Sequence, residues 1–380
     1  MFQYLPRVLL GAMVGGGMLG NSGIVAAMEE DGRDYGTTHV AEKNHVVTRV
    51  VHQFPRPTWL ENIAALSTGH LLTGTLGSHA ELHLINPETN TATLLHNFTQ
   101  QNSVFGFREL EPDVWAVVSS NYSTTTGAEH GGSVLWRVDL RERVKNIDEG
   151  SSDVVKVDKM IDLKDAGVSN GLAVVNPRTV LIADSIKGNI GRIVLPASEG
   201  EKAKYDVLIE DATVQIGNTN PDVPLGVNGL AYHAPYLYFS NCNRGLVARV
   251  AIDAETAAPS SAVEVVSDDV PVPDDLVVSP DGKTAYVARF WSNTLEKIAL
   301  PGTEGAGGKP EVVVGAQGST VVAGPTAVTW GRGKKDQRVL YVSTNGGVGE
   351  GDMKFLEGGK IVAVYLDGVA CEGNGRRGEL

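Results

Sequence analysis

The sequence predicts an all-β fold, a six-bladed β-propeller, and three observations predict it. One phrase of strands recurs six times: a short apolar strand, a second β-rich strand ending in small polar residues, and a third with alternating apolar residues. The residues that open the phrase, Glu61, Phe105, Asn170, Asn228, Asp274 and Thr326, follow one another at intervals that each suit one four-stranded blade with loop insertions. No window of comparable length carries helical periodicity. A β-sandwich is the rival, but sandwiches do not repeat one phrase six times.

The units run in order. Unit one comprises Glu61 to Leu66, His70 to Thr75 and Glu81 to Ile85; unit two Val104 to Phe107, Val114 to Val118 and Ser133 to Val138. Unit three has Asn170 to Val175, Thr179 to Asp184 and Gly191 to Val194, and unit four repeats its Asn-Gly-Leu wording at Asn228, followed by Tyr236 to Ser240 and Leu246 to Val250. Unit five contributes Asp274 to Val278, Thr284 to Ala288 and Thr294 to Ile298. Unit six contributes Pro325 to Val328, Val339 to Ser343 and Lys360 to Val364. β-Branched and aromatic residues at alternate positions suit strands packed between blades. His45 to Phe54 alternates in the same way and is expected to supply the outer strand of the last blade, closing the ring and removing its open edges.

At 380 residues the chain is long for one domain, yet nothing in it reads as a linker, and propellers run this long as single units. Apolar residues make up 42%, ample for a core, and the net charge of −13 argues against nucleic acid or anionic membrane as a partner. Oligomeric state is not legible. Arg7, the Gly-rich apolar run Val8 to Val25, small residues to Ala27 and the acidic Glu29-Glu30-Asp31 have the order of a signal peptide. A short membrane anchor is the rival, but Gly-rich runs of this length span poorly. The organisation expected is a signal peptide over 1–27, an extension over 28–44 and the propeller over 45–380, on a secreted or lumenal protein. The sequons at Asn97 and Asn121 are glycosylation candidates that fit this route. Cys242 and Cys371 are open to two readings, one disulfide or two separate buried thiols.

Blade topology converts position into place. The inner strands begin at one channel mouth, so the six opening residues ring it, and Thr75, Asp184, Asn241, Arg289, Trp291 and Asn345, at or just after the ends of second strands, surround them. Asn and Asp also end turns by bonding their own backbone, which is the structural alternative. Two carboxylates and two carboxamides converging on one axis suit hard-cation ligation by oxygen, although an occupied cation is left open. His70, His79, His83 and His130 lack metal-like spacing, and no Gly-x-Ser-x-Gly elbow or phosphate loop appears. Ser169 and Ser240 have no base beside them, which speaks against a serine hydrolase.

Glu61, the Asn-Gly-Leu phrases at Asn170 and Asn228, and Pro273-Asp274 resemble the senescence-marker-protein/gluconolactonase propellers. That resemblance covers nearly everything after residue 45. It implies Glu61, Asn228 and Asp274 as ligands of a divalent cation (Ca2+ or Zn2+), Asp274 also as base, Asn170 as a substrate contact, and lactone or ester hydrolysis as the activity. Two positions depart from the pattern: Asn62-Ile63 replaces the usual Gly-Pro, and Asp275 the usual Gly. Glu61-Asn62-Ile63-Ala64, Glu111-Pro112-Asp113-Val114-Trp115 and Gly324-Pro325-Thr326 with Gly358-Gly359-Lys360 are more similar to fungal secreted propellers that include the hetero-Diels–Alderases of tropolone–sesquiterpenoid biosynthesis. This second likeness implies a pericyclase that joins a quinone methide to a humulene-type alkene and requires no cofactor. The implied catalytic set is Glu61, Asn170, Asn228 and Asp274; Phe105, Asp184, Asn241, Arg289, Phe290, Trp291 and Thr326 would bind small apolar substrates. A non-catalytic ligand-binding propeller is the third reading.

Overall fold

A computed structural model describes residues 38–41, 46–123, 127–128, 132–147, 155–198, 200–347 and 355–366. The segment read as a signal peptide and Cys371 lie outside the described residues. Among those described, no helix is long and apolar enough to cross a membrane.

Six antiparallel sheets form the blades expected from the repeats. Blade one orders Leu60–Ala65, Leu71–Thr75, Glu81–Asn86 and Thr91–Asn97 from inside to outside. Blade two orders Ser103–Glu111, Val114–Ser120, Ser133–Asp139 and Lys156–Leu163, with one five-residue helix, Arg141–Lys145, in its outer connection. Blades three, four and five begin with Ser169–Asn176, Val227–His233 and Pro273–Val278, and blade six with Pro325–Trp330. The outermost strands were not legible as units because they face solvent: Lys204–Ile209 and Glu264–Ser267 bury only one residue each. A strand half open to water needs no apolar repeat.

Val46–Gln53 pairs with Lys360–Tyr365, so the N-terminal segment supplies the fourth strand of blade six, as expected. Thr38–Ala41 adds a fifth strand outside it, within the stretch read as an extension. Each of the six apolar cores lies between two neighbouring blades, and the seam between blades six and one is filled by Val47, Val51, Leu60, Ile63, Tyr341 and Ile361 among others. Val51 is fully buried on the closing strand. Val51→Asp would place a carboxylate in that seam without a partner, and its expected cost is on the order of 3–5 kcal/mol. Chemical denaturation should show the midpoint falling accordingly; an unchanged midpoint would mean that the strand adds little to the ring.

Glycine explains the recurring Asn-Gly-Leu phrase. A Cβ at Gly171 would lie 2.5 Å from the Asn228 carbonyl oxygen, and one at Gly229 would lie 2.6 Å from the Asp275 Cα. Adjacent inner strands therefore meet backbone to backbone one residue below the mouth, where only glycine fits.

Candidate active site

The inner strands deliver Glu61, Asn228 and Asp274 to one mouth, as the topology predicts. Each sits beside a register irregularity that turns its side chain towards the axis: Glu61/Ile63, Val227/Leu230 and Pro273/Leu276. Glu61 is 5% exposed and accepts a hydrogen bond at Oε2 from Trp59 Nε1 at 3.0 Å. Burial raises its carboxyl to about 8, the Trp59 bond works against that rise, and the Asp275 charge adds to it. Asp274 is pushed well above the usual carboxylate range by burial, then by Glu61 and Asp275, while a hydrogen bond from Asn228 opposes the shift. Burial thus favours the protonated form of both acids, and Glu61 further disfavours ionisation of Asp274.

Asn228 Nδ2 also donates to the Cys242 Sγ at 3.0 Å, and that thiol donates to the Pro273 carbonyl at 2.9 Å. Burial and the Asp274 charge push the thiol upward, so Cys242 is a neutral packing and bonding group. Tyr122 completes the cluster. Its hydroxyl is driven upward by burial first and then by the acidic groups Glu61 and Asp274, which keeps it a proton donor. Sequence reading marked Asn121 as a sequon but did not single out Tyr122, since a lone Tyr inside a sequon carries no periodic signal.

Aromatic planes frame these groups. Trp59 stacks on Phe290 with centroids 5.5 Å apart and planes 22° from parallel, and Phe355 meets Trp59 edge-on at 6.2 Å. Phe105 meets Tyr122 edge-on at 5.9 Å, and Trp291, 47% exposed, lies 6.4 Å from Phe290 at the lip. Trp59 escaped the sequence reading because it precedes the strand. Its link to Glu61 is a side-chain contact that no repeat reveals.

Other residues picked from sequence have partners elsewhere. Asp184 accepts backbone N–H bonds from Gly167, Ile186 and Lys187, and Asn241 donates to the Thr213 and Gln215 carbonyls. Thr326 donates to the Leu60 carbonyl across the last seam. The Arg289 guanidinium is held by Glu296 at 2.6 Å and by the Pro271 carbonyl at 3.1 Å. Asn170 is buried at the mouth, 6% exposed. Asn97 and Asn121 are half-buried, the latter beside Tyr122.

Below the mouth lies a second polar layer made by the residues that depart from the lactonase-like pattern. Asn62 Nδ2 donates to Asp275 Oδ2 at 3.2 Å, and Arg108 donates to both side chains. Beyond this layer a cavity of about 290 Å3 occupies the other half of the channel, lined by Ile63, Val174, Tyr232, Val277 and Val328 together with Arg108.

The oxygen donors Glu61, Asp274 and Asn228 have the hardness a calcium-like cation prefers. Glu61, Asn228 and Asp274 are the residues that would hold such a cation, with one Glu61 oxygen engaged by the Trp59 N–H; the steps below are derived from the chain's own residues.

Fold and site together define a six-bladed propeller with an acidic, aromatic-walled mouth. No protein-family profile matches the chain. It is 25% identical over 321 residues to a Phoma protein named as a candidate hetero-Diels–Alderase, an alignment covering 78% of this chain and 86% of that one. A similarly named protein of Sarocladium schorii is 22% identical over 331 residues, covering 78% and 77%. Among solved structures, the calcium-binding protein regucalcin from Agrobacterium tumefaciens superposes with a TM-score of 0.54 at 15% identity, covering 83% of this chain and 92% of that one. A luciferin-regenerating enzyme does so with 0.52 at 15%, covering 82% and 92%. These structures share the senescence-marker-protein/gluconolactonase-like propeller fold with this chain.

Proposed function

We propose that the protein is an enzyme of the hetero-Diels–Alderase type, forming a quinone methide at the mouth and adding it to a humulene-type alkene. The observation that carries this reading is a pair of acids, Glu61 and Asp274, whose burial favours the protonated form, set against stacked aromatic planes. The similarity to two proteins named for that activity supports it.

In the first step a hydroxymethyl precursor loses water. Glu61 gives its proton to the departing hydroxyl, the carbon–oxygen bond breaks, and the Glu61 carboxylate so formed takes the ring hydroxyl proton, restoring the acid. The resulting oxadiene then meets the alkene. One carbon–carbon and one carbon–oxygen bond form together, with no nucleophile, oxidant or added proton. Orientation supplies most of the help, up to about 7–11 kcal/mol in favourable cases. Trp59 and Phe290 would hold the planar diene, and the Tyr122 hydroxyl would hydrogen-bond its carbonyl as charge moves there.

The test supplies the purified full chain with a hydroxymethyl-tropolone precursor and humulene and resolves the adduct isomers by chiral chromatography. The expected result is one dominant isomer, with the rate unchanged by EDTA. An isomer mixture equal to that of the uncatalysed reaction would refute the reading. Turnover abolished by EDTA and restored by calcium or zinc, especially on lactone substrates, would establish the hydrolase reading in its place.

A further inference from the structure

One guanidinium touches the layer beneath all three central mouth residues. Arg108 rises from the inner strand of blade two with a side chain 23% exposed. Its Nη1 donates to Asn62 Oδ1 at 3.0 Å and to the Phe107 carbonyl at 2.9 Å. Its Nη2 donates to Asp275 Oδ2 at 3.1 Å and to the Leu230 carbonyl at 3.3 Å. Asn62 follows Glu61, Asp275 follows Asp274, and Leu230 lies two residues after Asn228. The Arg108 head thus joins blades one, four and five from a base in blade two.

The backbone at these positions needs holding. Asn62 has φ 64°, a left-handed conformation uncommon outside glycine, and its Oδ1 also accepts from the Ile63 N–H at 3.0 Å. Gly229 leaves room for Asp275, whose Oδ1 would lie 2.5 Å from a Cβ there. Asp275 Oδ1 in turn accepts from the Leu276 N–H at 2.8 Å. Each contact fixes the residue below a mouth side chain, and only a planar fork of donors can reach them together.

We infer that Arg108 is a positioning residue, whose clasp on Asn62, Asp275 and Leu230 sets the spacing of Glu61, Asp274 and Asn228 across the channel. It touches no substrate. The inference deepens the reading above and rests on its placement of the reaction at the mouth. It also gives the two departures from the lactonase-like pattern, Asn62 and Asp275, a shared role as the partners of Arg108.

Arg108→Met alone would strand the Asp275 charge and destabilise the ring, so the deciding variant is Arg108→Met with Asp275→Asn, made in the full chain. It is expected to stay folded, with a melting temperature within about 8 °C of wild type. Its kcat should fall at least about tenfold with KM changed far less, and the adduct isomer ratio should approach the uncatalysed one. Arg108→Lys, which keeps the charge and loses the fork, should fall between. Partial unfolding lowers the active fraction but leaves the isomer ratio of each turnover untouched, so the ratio separates positioning from mere support. A folded double variant with the wild-type kcat and ratio would overturn the inference. If the wild-type chain forms no adduct, the proposed function fails by itself, and crystal structures of wild type and double variant decide the clasp. A shifted Glu61–Asp274 separation supports it, and an unchanged one refutes it.

Discussion

Glu61→Gln is expected to lower the rate of quinone-methide formation by about 10²–10⁴, the usual worth of a positioned general acid. Glutamine has the same shape and can still accept the Trp59 N–H bond, but it has no proton to give. The loss should nearly vanish when the quinone methide is generated chemically in the assay, because the cycloaddition itself needs no proton. The wild-type pH profile should show the same group. With the carboxyl at about 8, roughly ten molecules hold the proton for each that has lost it at pH 7. The rate should therefore hold from pH 6 to 7 and fall about tenfold per unit well above pH 8. Stopped-flow absorbance of the quinone methide would follow both effects. Full activity in Glu61→Gln at pH 7 on the unactivated precursor would remove Glu61 from the reaction.

The second large effect is on stability. Glu61 keeps its proton to about pH 8 in the folded protein but ordinarily loses it near 4.5. Between those values the native state holds a proton that the unfolded chain has released. Stability is therefore greatest at or below pH 4.5 as far as this group is concerned, and it declines as pH rises through the window. Over the full window the decline is on the order of 5 kcal/mol. Urea midpoints should fall steadily from pH 5.5 to pH 8.5 for the wild type. Glu61→Gln should be the more stable protein at pH 8.5, with a visibly flatter trend. Parallel trends for the two proteins would show that Glu61 holds no unusual proton. Loss of activity alongside a gain of stability is the trade expected where a site stores unfavourable charge for use.

Much of this was legible in the sequence, and the reasons are physical. Inner and second strands are apolar on both faces, so Leu71–Thr75 and Thr179–Asp184, fully buried, repeat loudly. The closing strand was visible for the same reason, through Val47 and Val51. Outer strands were silent because water, not a neighbouring blade, meets most of their residues. At the site, strand starts revealed Glu61, Asn228 and Asp274, since topology alone brings them together. Asp184, Asn241 and Thr326 share that signal, yet their side chains are engaged by backbone, as turn-forming polar residues commonly are. Trp59, Tyr122 and Arg108 could not be found that way. Each acts through a contact between blades, and Arg108 in particular reads along its strand as an ordinary solvent-facing charge.

The closing of blade six by a strand from the other end of the chain has a consequence for how the molecule is made. Val50 pairs with Val362, so this seam joins segments separated by almost the whole propeller. Contacts of such high sequence separation form late and slowly. On the ribosome, blade one can complete its side of the seam only after Tyr365 has emerged. Until then Leu60, Ile63 and Val51 stand uncovered beside an unpaired strand edge, a surface prone to capture by another nascent chain. Shortening the C-terminus past Tyr365 would hold the protein in that open-ring state, and the damage would appear as aggregation during synthesis rather than as a weaker finished enzyme.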